Sequence, residues 1–257
     1  MQLAYSSTQD PAVLGMLADT SFKHTDSKIA ASEIAFGRGV VRVPDTSDQA
    51  RVTSANYSTI TVSADLIASN STIVTVNSVA TTATVYVFGH AATMAAIVLK
   101  VLALSTVSRA YLDSSNNRII HIWSIAATNT SSAATTLGSS QPTWAAAASM
   151  YASDFYGVAQ LTHSVASHLI ANTTNEYAAE AVANILRRGR IWVNFETAFD
   201  PDKDTLYVRH TADTGKYVGD FGNTSDSSKC TSLSGLPINV ITHLTAAGMG
   251  VIEINLP

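Results

Sequence analysis

Arg190-Ile-Trp-Val-Asn-Phe-Glu196 alternates strictly, with Ile191, Val193 and Phe195 on one side and Arg190, Trp192, Asn194 and Glu196 on the other. That period of two is the signature of a half-buried β-strand. The same pattern returns in Val251–Leu256, where Ile252, Ile254 and Leu256 face one way, and Pro257 follows where no further ladder donor is needed. Between these segments, Thr205–His210 (TLYVRH) follows the turn-forming run Asp200-Pro-Asp-Lys-Asp204, and Gly215, Gly219 and Gly222 punctuate what comes next. Short strands closely spaced between turn signals predict a mainly β protein built as a jelly-roll-like sandwich or barrel.

Residues 58–125 read differently. Strands are expected at Asp65–Val76 and Thr82–Phe88, followed by an apolar helix Thr93–Leu104, then strands at Val107–Asp113 and Arg118–Trp123. The helix is expected to start behind Thr93 as N-cap and to pack through Met94, Ile97, Val98, Val101 and Leu102. Ser114–Asn117 reads as a hairpin loop, with asparagines suited to positive φ. The stretch 126–148 (AATNTSSAATTLGSSQPTWAAAA) has no period and is interrupted by Gly138 and Pro142, so it is expected to be a linker. The resulting division is a discontinuous β domain of residues 1–54 and 149–257, with an inserted ββαββ α+β module at 58–125.

Composition narrows the function. Of 257 residues only 13% are charged, whereas there are 30 Ser, 30 Thr and 38 Ala, and the formal net charge is −4. No basic field exists to hold nucleic acid. A lone cysteine, Cys230, leaves stability to packing, sheet pairing or assembly rather than an internal disulfide. The longest apolar run, Ala91–Leu104, contains Lys100 and is shorter than the roughly 20 residues that cross a bilayer. The opening MQLAYSSTQD has neither a basic start nor an apolar stretch, so a soluble protein without a secretion signal is expected.

Local catalytic patterns are missing: there is no G-x-S-x-G, G-x-x-x-x-G-K, G-x-G-x-x-G or H-E-x-x-H. Asp200, Asp202 and Asp204 copy the first ligand positions of a calcium loop, but Thr205 stands where the loop needs Gly and Thr211 where it needs a bidentate Glu, so a polar turn is the better reading. His163 and His168 are five apart, poorly spaced for a shared metal. Cys230 has no adjacent base pattern and reads as a structural thiol. No cofactor, metal or catalytic residue is therefore expected. Arg187, Arg188 and Arg190 form the one dense basic cluster; ion pairs within the fold or to a partner subunit are favoured over an anionic ligand, with Glu180 and Glu196 near in sequence. Trp192 is forced by its strand's alternation onto the polar face, to be covered by the module or by Ala145–Met150, or to anchor a partner.

The stretch Gly15-Met-Leu-Ala-Asp19 followed by Ala30–Arg42 (AASEIAFGRGVVR) resembles the opening of phage structural cement proteins, the capsid decoration proteins of tailed phages. The resemblance continues in Leu186–Val193 (LRRGRIWV), Thr205–His210, Gly215–Gly222 (GKYVGDFG) and Gly248–Pro257 (GMGVIEINLP). The 58–125 segment looks like a small α+β module found within various phage virion proteins, with Asn77-Ser78 where Asn-Gly is usual. The resemblance implies a non-enzymatic virion protein, made in the host cytoplasm, that binds the capsid surface at capsomer junctions. Its partners would be the major capsid protein and its own copies as a homo-dimer or homo-trimer, with no nucleic acid or membrane. Candidate interface residues are Leu3, Tyr5, Leu14, Met16 and Leu17, read as an arm that orders on a neighbouring subunit, together with Arg187, Arg188 and Trp192. The competing reading is a tail, baseplate or fibre protein whose aromatic residues bind a host glycan.

Overall fold

The computed structural model describes residues 12–19, 23–44, 48–136, 141–161 and 176–257. The chain is mainly β, and its organising element is the long strand Val182–Phe195. The first half of this strand pairs antiparallel with His24–Ala30 on one side and Phe155–Ala159 on the other. Its second half pairs antiparallel with Gly248–Asn255, in unbroken register from Arg188↔Asn255 to Phe195↔Gly248. Together with Gly39–Arg42, Gln49–Val52 and the short strands between residues 207 and 240, these segments make a ten-stranded sheet. The alternation read from the sequence is realised: Ile191, Val193 and Phe195 are buried, Trp192 and Asn194 only partly so. Ile252, Ile254 and Leu256 join them in one apolar core with Phe199, Val208 and Phe221.

Residues 57–149 build two further four-stranded sheets. One runs in the order Trp144–Ser149, Tyr57–Val62, Ile119–Ser124, Val107–Leu112; the other gathers Ser131–Thr136, Val79–Ala80 and Thr84–Val85 around Ser71–Val76. The helix His90–Leu102 packs Met94, Ile97, Val98 and Val101 against Ile60, Val74, Val76, Ile120 and Ile122, a core separate from that of the ten-stranded sheet. Among the described residues no helix is long and apolar enough to cross a membrane.

Several local expectations are corrected. The stretch 126–148 is not an unpaired linker, because Ser131–Thr136 and Trp144–Ser149 are strands with six-residue ladders to Ser71–Val76 and Tyr57–Val62. Small side chains hid the period, but the backbone donors and acceptors complete the sheets, and the Trp144 indole N–H joins the two strands by donating to Thr135 Oγ1 at 2.8 Å. The segment Asp65–Asn70 is a turn rather than the start of a strand, since Asn70 Oδ1 accepts the Ile67 N–H at 2.8 Å. The helix begins at His90, not behind Thr93: Gly89 enters with φ of 94°, and the Thr93 hydroxyl sits inside the first turn, accepting the Val87 N–H at 2.9 Å. The Ser114–Asn117 loop uses no positive φ; Asp113 Oδ1 accepts the Ser115 and Asn116 N–H groups, each at 2.8 Å. Positive φ falls instead on Asn77 (47°) and Ser78 (67°), the two-residue hairpin between Ser71–Val76 and Val79–Ala80.

Candidate interaction surface

Of the arm residues, Leu3 and Tyr5 lie outside the described residues, as do His163 and His168. Leu14, Met16 and Leu17 are placed on this chain's own sheet, contrary to an arm that orders only on a neighbour. Gly15 donates its N–H to Trp192 O at 2.9 Å, Trp192 returns its N–H to Met16 O at 3.0 Å, and Ala18 donates to Arg190 O at 2.9 Å. Leu17 bridges Ile191 and packs against the main core. The docking works because two glycines meet: Gly15 (φ 77°) and Gly37 (φ 74°) approach so closely that a Cβ on Gly15 would lie 2.7 Å from Phe36 Cβ. The main-chain groups of Trp192 are thus spent within the fold, and its side chain is half-buried.

The arginine run is also tied into the fold, though not to Glu180 or Glu196. Arg187 reaches Asp26 Oδ2 at 3.4 Å and donates to Pro257 O, while Arg188 Nε donates to Leu256 O at 3.0 Å. Arg190 lies 3.3 Å from both Asp19 and Glu253. Asp26 also accepts the Tyr156 hydroxyl, the main reason its carboxyl is held below the usual carboxylate range. Glu196 pairs instead with Arg209 in a bidentate fork, Nη2 to Oε2 being 2.7 Å, with both side chains almost wholly buried.

In the DPDKD turn, the Asp200 and Asp204 carboxylates bond within the turn and to Asn223. Asp204 Oδ2 accepts the Asp200 N–H at 2.9 Å and Asn223 Nδ2 at 3.0 Å, and Asp200 accepts the Asp202 N–H and the Lys203 ammonium. Among the described residues no group of three or more His, Cys, Asp or Glu is arranged to hold a metal. Cys230 is buried, which pushes its thiol pKa up and disfavours the reactive thiolate.

What the molecule offers to neighbours is exposed side-chain surface. Phe88 is 99% exposed, and Val85 and Leu99 are 65% and 69% exposed on the same helix-bearing unit. Sequence reasoning missed Phe88 by assigning it to a strand, and Leu99 was not among the helix residues singled out for packing. A comparison with curated proteins gives no match. The model of the family described as "Structural cement protein (E217 gp24/Pam3 gp6)" matches residues 108–256. The matched stretch includes Leu186–Val193 and the closing Gly248 segment, whereas Gly15–Asp19 and Ala30–Arg42 lie before it. It covers more than half of the sequence, and the chain accordingly belongs to the phage structural cement protein family.

Proposed function

We propose that this protein binds the outer surface of a phage head at junctions between capsomers and stabilises the shell through contacts with the major capsid protein and with its own copies, as a dimer or trimer. Family membership over residues 108–256 carries this reading. A cement protein works through buried surface. At about 25 cal/mol per Å² of apolar surface, less the cost of association, a standard interface of about 1,600 Å² repeated over a shell resists internal pressure with modest energy per copy. Exposed Phe88, Val85 and Leu99 supply apolar surface of that kind. We read residues 58–125 as a module inserted into a jelly-roll-like body and projecting from the shell; made in the host cytoplasm, the chain would need neither nucleic acid nor membrane.

The test is rebinding. Heads stripped of this protein, mixed with purified protein and imaged by cryo-electron microscopy, are expected to regain density at capsomer junctions and to withstand heating that bursts stripped heads. Heads that stay bare at saturating protein would overturn the proposal.

A further inference from the structure

A cleft of about 700 Å³ opens where the helix-bearing unit meets the ten-stranded sheet. Arg109 and Trp123 wall it from one side, Arg42, Tyr156 and Arg187 from the other, and Asp154 is the one acidic side chain in its lining, which also includes Pro257. Each guanidinium sits over an aromatic ring: Arg42 4.9 Å and Arg187 4.4 Å from the Tyr156 centroid, Arg109 4.9 Å from that of Trp123. A guanidinium over an aromatic ring is held there by the ring's negative face, and its planar fork of N–H donors matches a carboxylate bidentately. Arg42 and Arg109 are exposed, and among the described residues neither has a carboxylate within 4.0 Å. The Asp154 carboxylate is engaged by the Trp123 indole N–H at 2.9 Å. Arg187 is spent on Asp26 and Pro257 O, so among the described residues Arg42 and Arg109 are the guanidiniums the lining holds without a carboxylate partner, a local excess of positive charge on a chain whose net charge is −4.

We propose that this cleft receives an acidic polypeptide segment of the capsid protein beneath, its carboxylates clamped by Arg42 and Arg109. The identity of the partner rests on the shell-binding reading above; the chemistry of the cleft does not. A nucleic acid is disfavoured because phosphate-backbone binding draws on a row of many cations, whereas these two converge in one recess of an otherwise acidic chain. The cleft volume lies within the range of built ligand pockets, enough for a few side chains. Val43, Pro44 and Leu236 supply apolar lining for the methylenes of a Glu or for a neighbouring apolar residue.

The experiment has two arms. In the first, the full chain is titrated calorimetrically with a blocked hexapeptide alternating Asp and Glu, with its Asn/Gln analogue, and with a single-stranded oligonucleotide of equal charge. Saturable binding of the acidic peptide, at least tenfold weaker in Arg42→Gln/Arg109→Gln and absent for the neutral analogue, is expected. The double variant should keep the wild-type melting temperature, since both side chains are exposed. Arg42→Lys/Arg109→Lys, which keeps charge but loses the fork, should recover only part of the affinity. Equal peptide binding by wild type and the Gln variant, no binding at all, or preference for the oligonucleotide would each overturn the proposal. In the second arm the Gln variant is offered to stripped heads. Reduced occupancy that falls further with salt supports the clamp, and occupancy equal to wild type overturns it. Wild-type protein that binds the peptide but not heads would sink the shell-binding reading while leaving the carboxylate cleft standing.

Discussion

Glu196 and Arg209 show most directly how single residues hold this sheet. Both side chains are at most 3% exposed, and Arg209 also donates to Thr211 O at 3.3 Å while its carbonyl accepts the Thr53 hydroxyl. Removing the charge from one side leaves the other buried and uncompensated, which costs about 3–5 kcal/mol. Glu196→Gln is therefore expected to lower stability to urea by about that amount; a change below about 1 kcal/mol would show that the fork contributes little. His210, next in sequence, makes a different prediction. Burial lowers its pKa from the ordinary 6.5 to about 4, with the Arg209 charge acting in the same direction. Its folded pKa thus lies below its unfolded one, so the neutral ring contributes stability that is present above about pH 6.5 and lost as pH falls towards 4. At 1.36 kcal/mol per pH unit the loss is at most about 3 kcal/mol. The depressed aspartates, such as Asp26 and Asp213, lose their contribution below their ordinary 3.8, outside that window. Thermal unfolding from pH 7 to 4.5 should show the wild-type midpoint dropping and a flatter profile for His210→Gln; parallel profiles would assign the acid sensitivity elsewhere.

Among the elements, the segment 12–19 depends on a backbone contact that only glycine permits. A Cβ at Gly15 would meet Phe36 Cβ at 2.7 Å and Gly37 N at 2.9 Å, and its φ of 77° is strained for any other residue. Gly15→Ala is expected to release the segment from Val182–Phe195. Amide exchange at Trp192 and Ala18 should rise at least tenfold, while the ladder between Arg190–Phe195 and Gly248–Glu253 keeps its protection. Unchanged exchange at Trp192 would mean that the side chains of Leu14 and Leu17 hold the segment without the glycine contact. This element also shows what the sequence could reveal. Arg190–Glu196 was legible because bulky apolar residues mark every second position, and a half-buried strand needs nothing more. Gly15–Ala18 and the alanine-rich Trp144–Ser149 were not, since their placement is supplied by partners: Trp192 and Arg190 main-chain groups hold the first, which is no strand but a turn with a single bridge at Leu17, and Tyr57–Val62 makes the second a strand. The Arg42, Arg109 and Arg187 cleft was illegible for the same reason. No local pattern joins residues so far apart, and the arginine run that did stand out turned out to be largely consumed by Asp26, Asp19 and Glu253.

At the scale of the whole molecule, the two sides of the cleft belong to different cores. Ile97, Met94 and Val101 pack with Ile120 and Ile122, and none of them joins the core around Ile191, Val193 and Ile252. Polar contacts link the two regions: Arg51 Nη1 donates to Ile125 O at 2.9 Å, and the Trp123 indole donates to Asp154. A cavity opened in one core should therefore loosen that unit before the other. Ile97→Ala removes a side chain that is 1% exposed and is expected to cost about 2–5 kcal/mol. Exchange measured by mass spectrometry should quicken across Val107–Ser124 while Val182–Phe195 and Gly248–Asn255 change little. If the cleft binds acidic segments as proposed, the same variant should also bind the acidic hexapeptide more weakly, although residue 97 does not line the cleft, because Arg109 rides on the loosened unit and Arg42 does not. Equal quickening of exchange in both regions would show that the two cores unfold as one, and the weakened peptide binding would then report global stability rather than the separation of the two walls.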